Sequence, residues 1–176
     1  VYGGYNSITN LIEGCSVQIT GKIGYYYGSL QITDINSDSQ ISILSPVDKN
    51  QIVTREEKIS NIDDIYAYSK IGSLVTLHNL TVYDYNDSQN NSATTLKCHY
   101  IDENGNQKQF NVRIAKEIAL YDPITKKQIS SGEYFVGKTF ETITGMLAYY
   151  NGADKTPYSN GHMQLALSSM DDVIFK

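Results

Sequence analysis

Apolar and polar residues alternate with a period of two along much of this chain, the signature of half-buried β-strands. Ser16–Tyr27 sets Val17, Ile19, Ile23 and Tyr25 on one face, with Gly21 among them. Ser29–Thr33 and Gln40–Leu44 follow as shorter strands. Beyond residue 70 the pattern strengthens. Leu74–Tyr85 reads as a long strand, with Val75, Leu77, Asn79, Thr81, Tyr83 and Tyr85 on one face. Leu74, Thr76, His78, Leu80 and Val82 fall on the other. Thr95–Ile101, Phe110–Ile114, Phe140–Tyr150, His162–Ala166 and Val173–Phe175 complete the predicted strands. Asp102-Glu103-Asn104-Gly105 is a turn signal, and residues 121–137, with Pro123 and Gly132, read as irregular. Helical spacing is confined to short stretches: Ile8, Leu11 and Ile12 within Tyr5–Gly14, and Ile62, Ile65 and Tyr66 ahead of Gly72. Thr54-Arg55-Glu56-Glu57 and Ser60-Asn61-Ile62-Asp63 both fit a capping box. The second directly precedes the apolar period and is the preferred helix start, with Asp63-Asp64 suited to its first turn.

One passage nearly recurs. Ile19-Thr20-Gly21-Lys22-Ile23-Gly24-Tyr25-Tyr26-Tyr27-Gly28 returns as Ile143-Thr144-Gly145-Met146-Leu147-Ala148-Tyr149-Tyr150-Asn151-Gly152, with six of ten positions identical. Each copy is followed by a short strand centred on Gln, Leu30-Gln31-Ile32 and Met163-Gln164-Leu165. A duplicated strand–turn–strand implies two copies of one β module.

From residue 70 onward the order is three strands, an irregular or short-helical connector, then two strands. That is the order of an all-β, OB-fold-like five-stranded Greek-key barrel. The expected organisation is a partial OB-like unit at 1–45, holding the last strands of a barrel. A connector with a short helix at 46–69 and a complete barrel at 70–176 follow. A partial barrel exposes strand edges, which folded proteins avoid. The expectation is that the chain is part of a longer polypeptide.

Val17-Gln18-Ile19-Thr20-Gly21-Lys22-Ile23, with Tyr26-Tyr27-Gly28 and Leu30-Gln31-Ile32, resembles the OB-type repeats of secreted and surface bacterial proteins. Ile71-Gly72-Ser73-Leu74-Val75-Thr76-Leu77 does likewise. In that group the repeats often stand beside an extracellular nuclease of the endonuclease/exonuclease/phosphatase type. The resemblance implies a secreted or cell-surface accessory module of a larger protein, with the catalytic residues in the neighbouring domain of the same polypeptide.

Composition narrows the partners. Net charge is −5, and residues 1–69 carry 4 basic against 8 acidic side chains. Such a balance lowers the expectation of non-specific nucleic-acid binding, which draws on clusters of Lys and Arg. Tyr is the outstanding count, 15 against 4 Phe and no Trp, and with many Asn, Ser, Thr and Ile it suits a β-rich protein with polar loops. Cys15 and Cys98 have no C-x-x-C spacing and read as buried thiols or as one bridge. No apolar run approaches the roughly 20 residues of a membrane span.

The residues offer little for catalysis. His78, His99 and His162 fall in or at predicted strands without metal-ligand spacing, and Cys98 and His99 point to opposite faces. No nucleophile elbow or phosphate-binding glycine loop occurs. Asp171-Asp172 lacks a calcium-loop pattern. The expectation is no enzyme, no cofactor and no metal. Binding is the better reading. OB barrels receive ligands on strands two and three and on the loops joining strands one to two and four to five. Those elements carry Tyr149, Tyr150, Lys155 and Tyr158, with Tyr25, Tyr26 and Tyr27 at the matching place in the first unit. These tyrosines could stack on bases or sugars, or pack on the barrel with only their hydroxyls in water. Lys97 and Arg113, with Lys108 and Lys116 nearby, form a cationic cluster that could follow phosphates or be scattered solvated charges. Weak single-stranded nucleic-acid binding, protein or glycan binding, and a ligand-free spacer all remain open.

Overall fold

The structure is a computed structural model of the 176-residue chain and describes residues 11, 14–27, 29–48, 50, 52–57, 70–88, 93–152 and 161–176. Eleven strands run in order: β1 (Val17–Ile19), β2 (Lys22–Tyr26), β3 (Ser29–Thr33), β4 (Ile41–Ile43), β5 (Arg55–Glu56), β6 (Leu74–Asp87), β7 (Thr94–Ile101), β8 (Gln107–Ile114), β9 (Thr139–Tyr150), β10 (His162–Leu167) and β11 (Val173–Phe175). Two compact units divide the chain. One comprises Val1–Val53 with Tyr150–Gly161, the other Thr54–Tyr149 with His162–Lys176.

In the second unit five strands close on themselves in the order β6-β7-β8-β10-β9, and β9 pairs back onto β6. Neighbours are antiparallel at β6–β7, β7–β8 and β6–β9, whereas β8 and β10 run parallel. This is the OB-like barrel that the strand order predicts. β11 adds to the outer edge of β9, and β5 runs parallel to β6 at Val75 and Thr76. Arg55-Glu56 is thus strand, and the capping-box reading of Thr54–Glu57 does not hold. The carbonyl of Thr76 takes the Glu57 amide at 3.3 Å instead, continuing the ladder. The predicted helices near Ile8 and Ile62 fall mainly or wholly outside the described residues.

Closure depends on one strand serving two partners. The first half of β6 pairs with β9 from Leu74 to Thr81, and the second half pairs with β7 from Thr81 to Asp87. The turn between the halves is made at Asn79, whose φ of 58° is left-handed. Val75 and Leu77 are buried ahead of it, Leu80 and Val82 after it. The side-chain alternation therefore shifts by one residue, and the sequence expectation that Thr81 shares a face with Val75 is corrected. Asn tolerates this region of backbone space better than other non-glycine residues. A matching shift occurs in β9, where Phe140 and Ile143 are buried in place of a strict alternation.

The barrel interior is filled by the inward residues of all five strands, including Leu77, Leu96, Val112, Leu147 and Leu165. The connector between β8 and β9 holds a 3-10 turn, Gly132–Phe135, where many OB barrels have a helix. Asp87 anchors it. Its carboxylate accepts from Thr94 Oγ1 at 2.6 Å, Ser131 Oγ at 2.8 Å and the Gly132 amide at 3.2–3.3 Å. Phe135 is completely buried and meets the rings of Phe140 and Phe175.

The first unit holds two separate antiparallel pairs, β1–β4 and the β2–β3 hairpin. The strand predicted across Ser16–Tyr27 breaks at Thr20–Gly21. Gln40 fastens the break: its backbone carbonyl takes the Thr20 amide at 2.9 Å, and its side-chain amide donates to the carbonyls of Thr20 and Asp34. Gln40 itself lies in a 3-10 turn, Asp38–Gln40, rather than in the strand predicted to start there.

Replacing Asn79 tests the closure. Asn79→Gly should leave stability within a few tenths of a kcal/mol, whereas Asn79→Val should lower it by about 1–2 kcal/mol, because a β-branched residue resists the left-handed region. Urea unfolding of both variants gives the comparison.

Candidate ligand-binding face

Alternate residues of a strand share a face, so the polar set opposite the barrel core forms one outer surface over β6, β7, β8 and β10. Cross-strand register places Thr95 beside Arg113, Lys97 beside Asn111 and His99 beside Gln109. On the far side Gln164 of β10 lies against Asn111, and Ala166 against Arg113. Asn111 Nδ2 and His162 Nε2 are 3.0 Å apart.

Tyr83, next to inward Val82, falls on this surface, and a bulge follows it. Val82 pairs with Cys98 and Asp84 with Lys97. Tyr83 is 39% exposed, with its ring 5.9 Å from that of His99. Nδ1 of His99 is enclosed and has no hydrogen-bond partner among the described residues. The strand-two and strand-three face expected from the sequence, Thr95–Tyr100 and Gln109–Ile114, includes Gln109 and Asn111 without singling them out; Tyr83 and Gln164 lie outside it.

Charge on the face is largely cancelled. Lys97 Nζ sits 2.6 Å from Asp84 Oδ2. The hydrogen bond from Lys97, then that from the Tyr85 amide, hold the Asp84 carboxyl below the usual carboxylate range; the same contact raises Lys97. Arg113 donates to Thr95 Oγ1 at 2.9 Å and has no carboxylate partner among the described residues. Lys97 and Arg113 are diagonal neighbours, roughly 7–8 Å apart by strand geometry. Lys108 and Lys116 lie 3.9 Å from Asp102 and Glu117 respectively. The predicted cationic cluster thus presents one uncompensated charge, Arg113.

The predicted tyrosines separate. Tyr149 points into the barrel at 6% exposure and has no surface for a ligand, as adjacent strand residues require. In the first unit Tyr26, Tyr27 and Tyr150 are exposed and cluster. Tyr26 meets Tyr27 edge-on at 4.4 Å, and Tyr27 lies 5.5 Å from Tyr150. Tyr25 belongs to the opposite face of its hairpin, beside Leu30. Lys155 and Tyr158 lie outside the described residues.

Cys15 and Cys98 are unbridged. Burial pushes the Cys98 thiol up to about 12, which makes it inert at neutral pH. Among the described residues no group of three or more His, Cys, Asp or Glu is placed to hold a metal ion. No helix among them is long and apolar enough to cross a membrane. Comparison with known proteins finds no family model that matches the chain and no curated protein that matches it.

Two measurements check the electrostatics. Asp84→Asn releases Lys97, so any affinity for a fluorescent oligothymidylate should rise and its log–log salt slope should steepen by about one. An unchanged slope would mean that Lys97 does not face the ligand. Acid should also weaken the fold. Asp84, Asp102, Asp122 and Asp171 are all held below the ordinary carboxylate range, the last three chiefly by hydrogen bonds from Asn106, Tyr134 and Lys126. Each then binds a proton more weakly folded than unfolded, so its contribution is complete above the unfolded carboxyl pKa and is lost as pH falls. Urea midpoints should drop from about pH 4 downward, and Asp122→Asn should flatten that drop.

Proposed function

We propose that this chain is a non-catalytic binding module of a larger protein, and that its outer barrel face takes a neutral polar strand, a glycan in the first instance. The observation that carries this reading is the chemistry of the face. An aromatic pair, Tyr83 and His99, stands beside the amides of Gln109, Asn111 and Gln164, while Asp84 cancels the charge of Lys97. Rings stack on the apolar side of a sugar, and amides exchange hydrogen bonds with its hydroxyls. A phosphate track needs several free cations in line. A secreted, bacterial and nuclease-associated setting, with the two halves as tandem repeats, rests on the resemblance to OB-type repeats of surface proteins.

Single-stranded nucleic acid is the second reading. It is favoured by Arg113 and by the exposed cluster of Tyr26, Tyr27 and Tyr150, since stacked bases need no particular sequence.

Salt separates the two. Retention on neutral polysaccharides should be unaffected between low and high salt, and Tyr83→Ala should weaken it roughly 3- to 10-fold. Tight binding of single-stranded DNA that collapses as salt rises, with no glycan bound, would reverse the assignment. If neither binds, the barrel face is no ligand site.

A further inference from the structure

The β2–β3 hairpin carries an apolar face that the described first unit does not bury. Ile23 and Tyr25 of β2 pair with Ile32 and Leu30 of β3, so all four side chains share one side. Ile23 is 67% exposed, and Tyr25 and Leu30 are each 45% exposed. Only Ile35 and Ile41 are buried apolar residues among those described in this unit. A contiguous apolar surface of this kind marks an interaction site.

What covers it is legible from the second unit. The sequence repeat matches Ile23, Tyr25, Leu30 and Ile32 with Leu147, Tyr149, Met163 and Leu165, which are 0%, 6%, 2% and 0% exposed inside the barrel. The match holds in three dimensions. A Cβ on Gly21 would lie 2.6 Å from Ile32 Cγ2 and 2.7 Å from the Thr33 carbonyl oxygen. One on Gly145 would lie 2.9 Å from Leu165 Cγ and 2.6 Å from the Ala166 carbonyl oxygen. Ser37 precedes the 3-10 turn Asp38–Gln40 as Ser169 precedes Met170–Asp172. β4 then pairs with β1 through Ile19 and Ile41, as β11 pairs with β9 through Ile143 and Val173.

The two units differ in what lies on the hairpin. β9 bonds along its free edge to β6, and β10 to β8. Among the described residues β2 and β3 pair only with each other. Ile43 is exposed, whereas its counterpart Phe175 stacks on Phe140 and Phe135.

We propose that this hairpin is the closing half of a second five-stranded barrel. Its occupant is a three-stranded antiparallel meander with an alternating apolar face, carried ahead of the hairpin in the complete polypeptide as β6–β8 are carried ahead of β9 and β10. Its first strand runs antiparallel along β1 and the start of β2, the counterparts of the β9 residues that meet β6, and its third runs parallel along β3. The inference concerns assembly and stands apart from the ligand reading.

The test compares the 176-residue chain with a longer one that includes the polypeptide encoded immediately ahead of Val1. Hydrogen exchange at the amides of Ile23, Tyr25, Leu30 and Ile32 should slow by about 100-fold or more in the longer chain, and binding of an apolar dye should fall. Ile23→Lys should abolish that protection, while Lys22→Gln, on the opposite side of β2, should leave it intact. If Ile23→Lys prevents folding altogether, Ile23→Ala serves, with partial loss of protection expected. Unchanged exchange in the longer chain would overturn the proposal. So would a stable dimer of the 176-residue chain that Ile23→Lys splits, because the occupant would then be a second copy.

Discussion

Closing a sheet into a small barrel obliges one strand to bond to two different neighbours along different parts of its length. Here β6 meets that obligation, and Asn79 makes it possible. The left-handed residue turns the strand so that Leu77 and Leu80, three apart, both point inward. Without that step, period-two alternation would send Leu80 and Val82 into solvent once Val75 and Leu77 are inside. Thr76 with Thr144 and Thr81 with Thr139, each at 2.8 Å between hydroxyls, tie the seam on its outer side. This seam and the parallel β8–β10 pairing together join the first three barrel strands to the last two.

Closure also shapes the outer surface. With the core residues committed inward, β7 and β8 must present Thr95, Lys97, His99, Gln109, Asn111 and Arg113 outward. Tyr83 follows inward Val82 onto the same surface, and the bulge there brings Asp84 against Lys97. The bulge thus sets a carboxylate against the lysine and cancels its charge. Apart from Arg113, the face is thereby left rich in polar, uncharged side chains.

Much of the barrel was legible in the sequence, because five alternating segments in that order have few ways to close. The expected strands from Leu74 onward agree with the observed ones to within three residues at every end. What a period-two reading misses is the residue that breaks the period. It carried Thr81 onto the face of Val75 because nothing in the letters says that Asn79 turns left-handed. Likewise it saw Lys97 and Arg113 as a pair of cations, since the Asp84 contact arises only from the bulge. Adjacent Tyr149 and Tyr150 had to split between inside and outside, and the direction of that split followed from the buried phase of β9. In the first half, the continuous strand expected over Ser16–Tyr27 is broken where Gly21 packs directly against Ile32 and Thr33.

The β6–β9 seam is most directly examined by cross-strand nuclear Overhauser contacts in solution. Backbone contacts should join Leu77 to Ile143 and Leu80 to Phe140, with the Asn79 amide coupling reporting a positive φ. A spectrum in which β6 contacts β7 along its whole length, and β9 not at all, would mean an open sheet and would contradict the closed barrel.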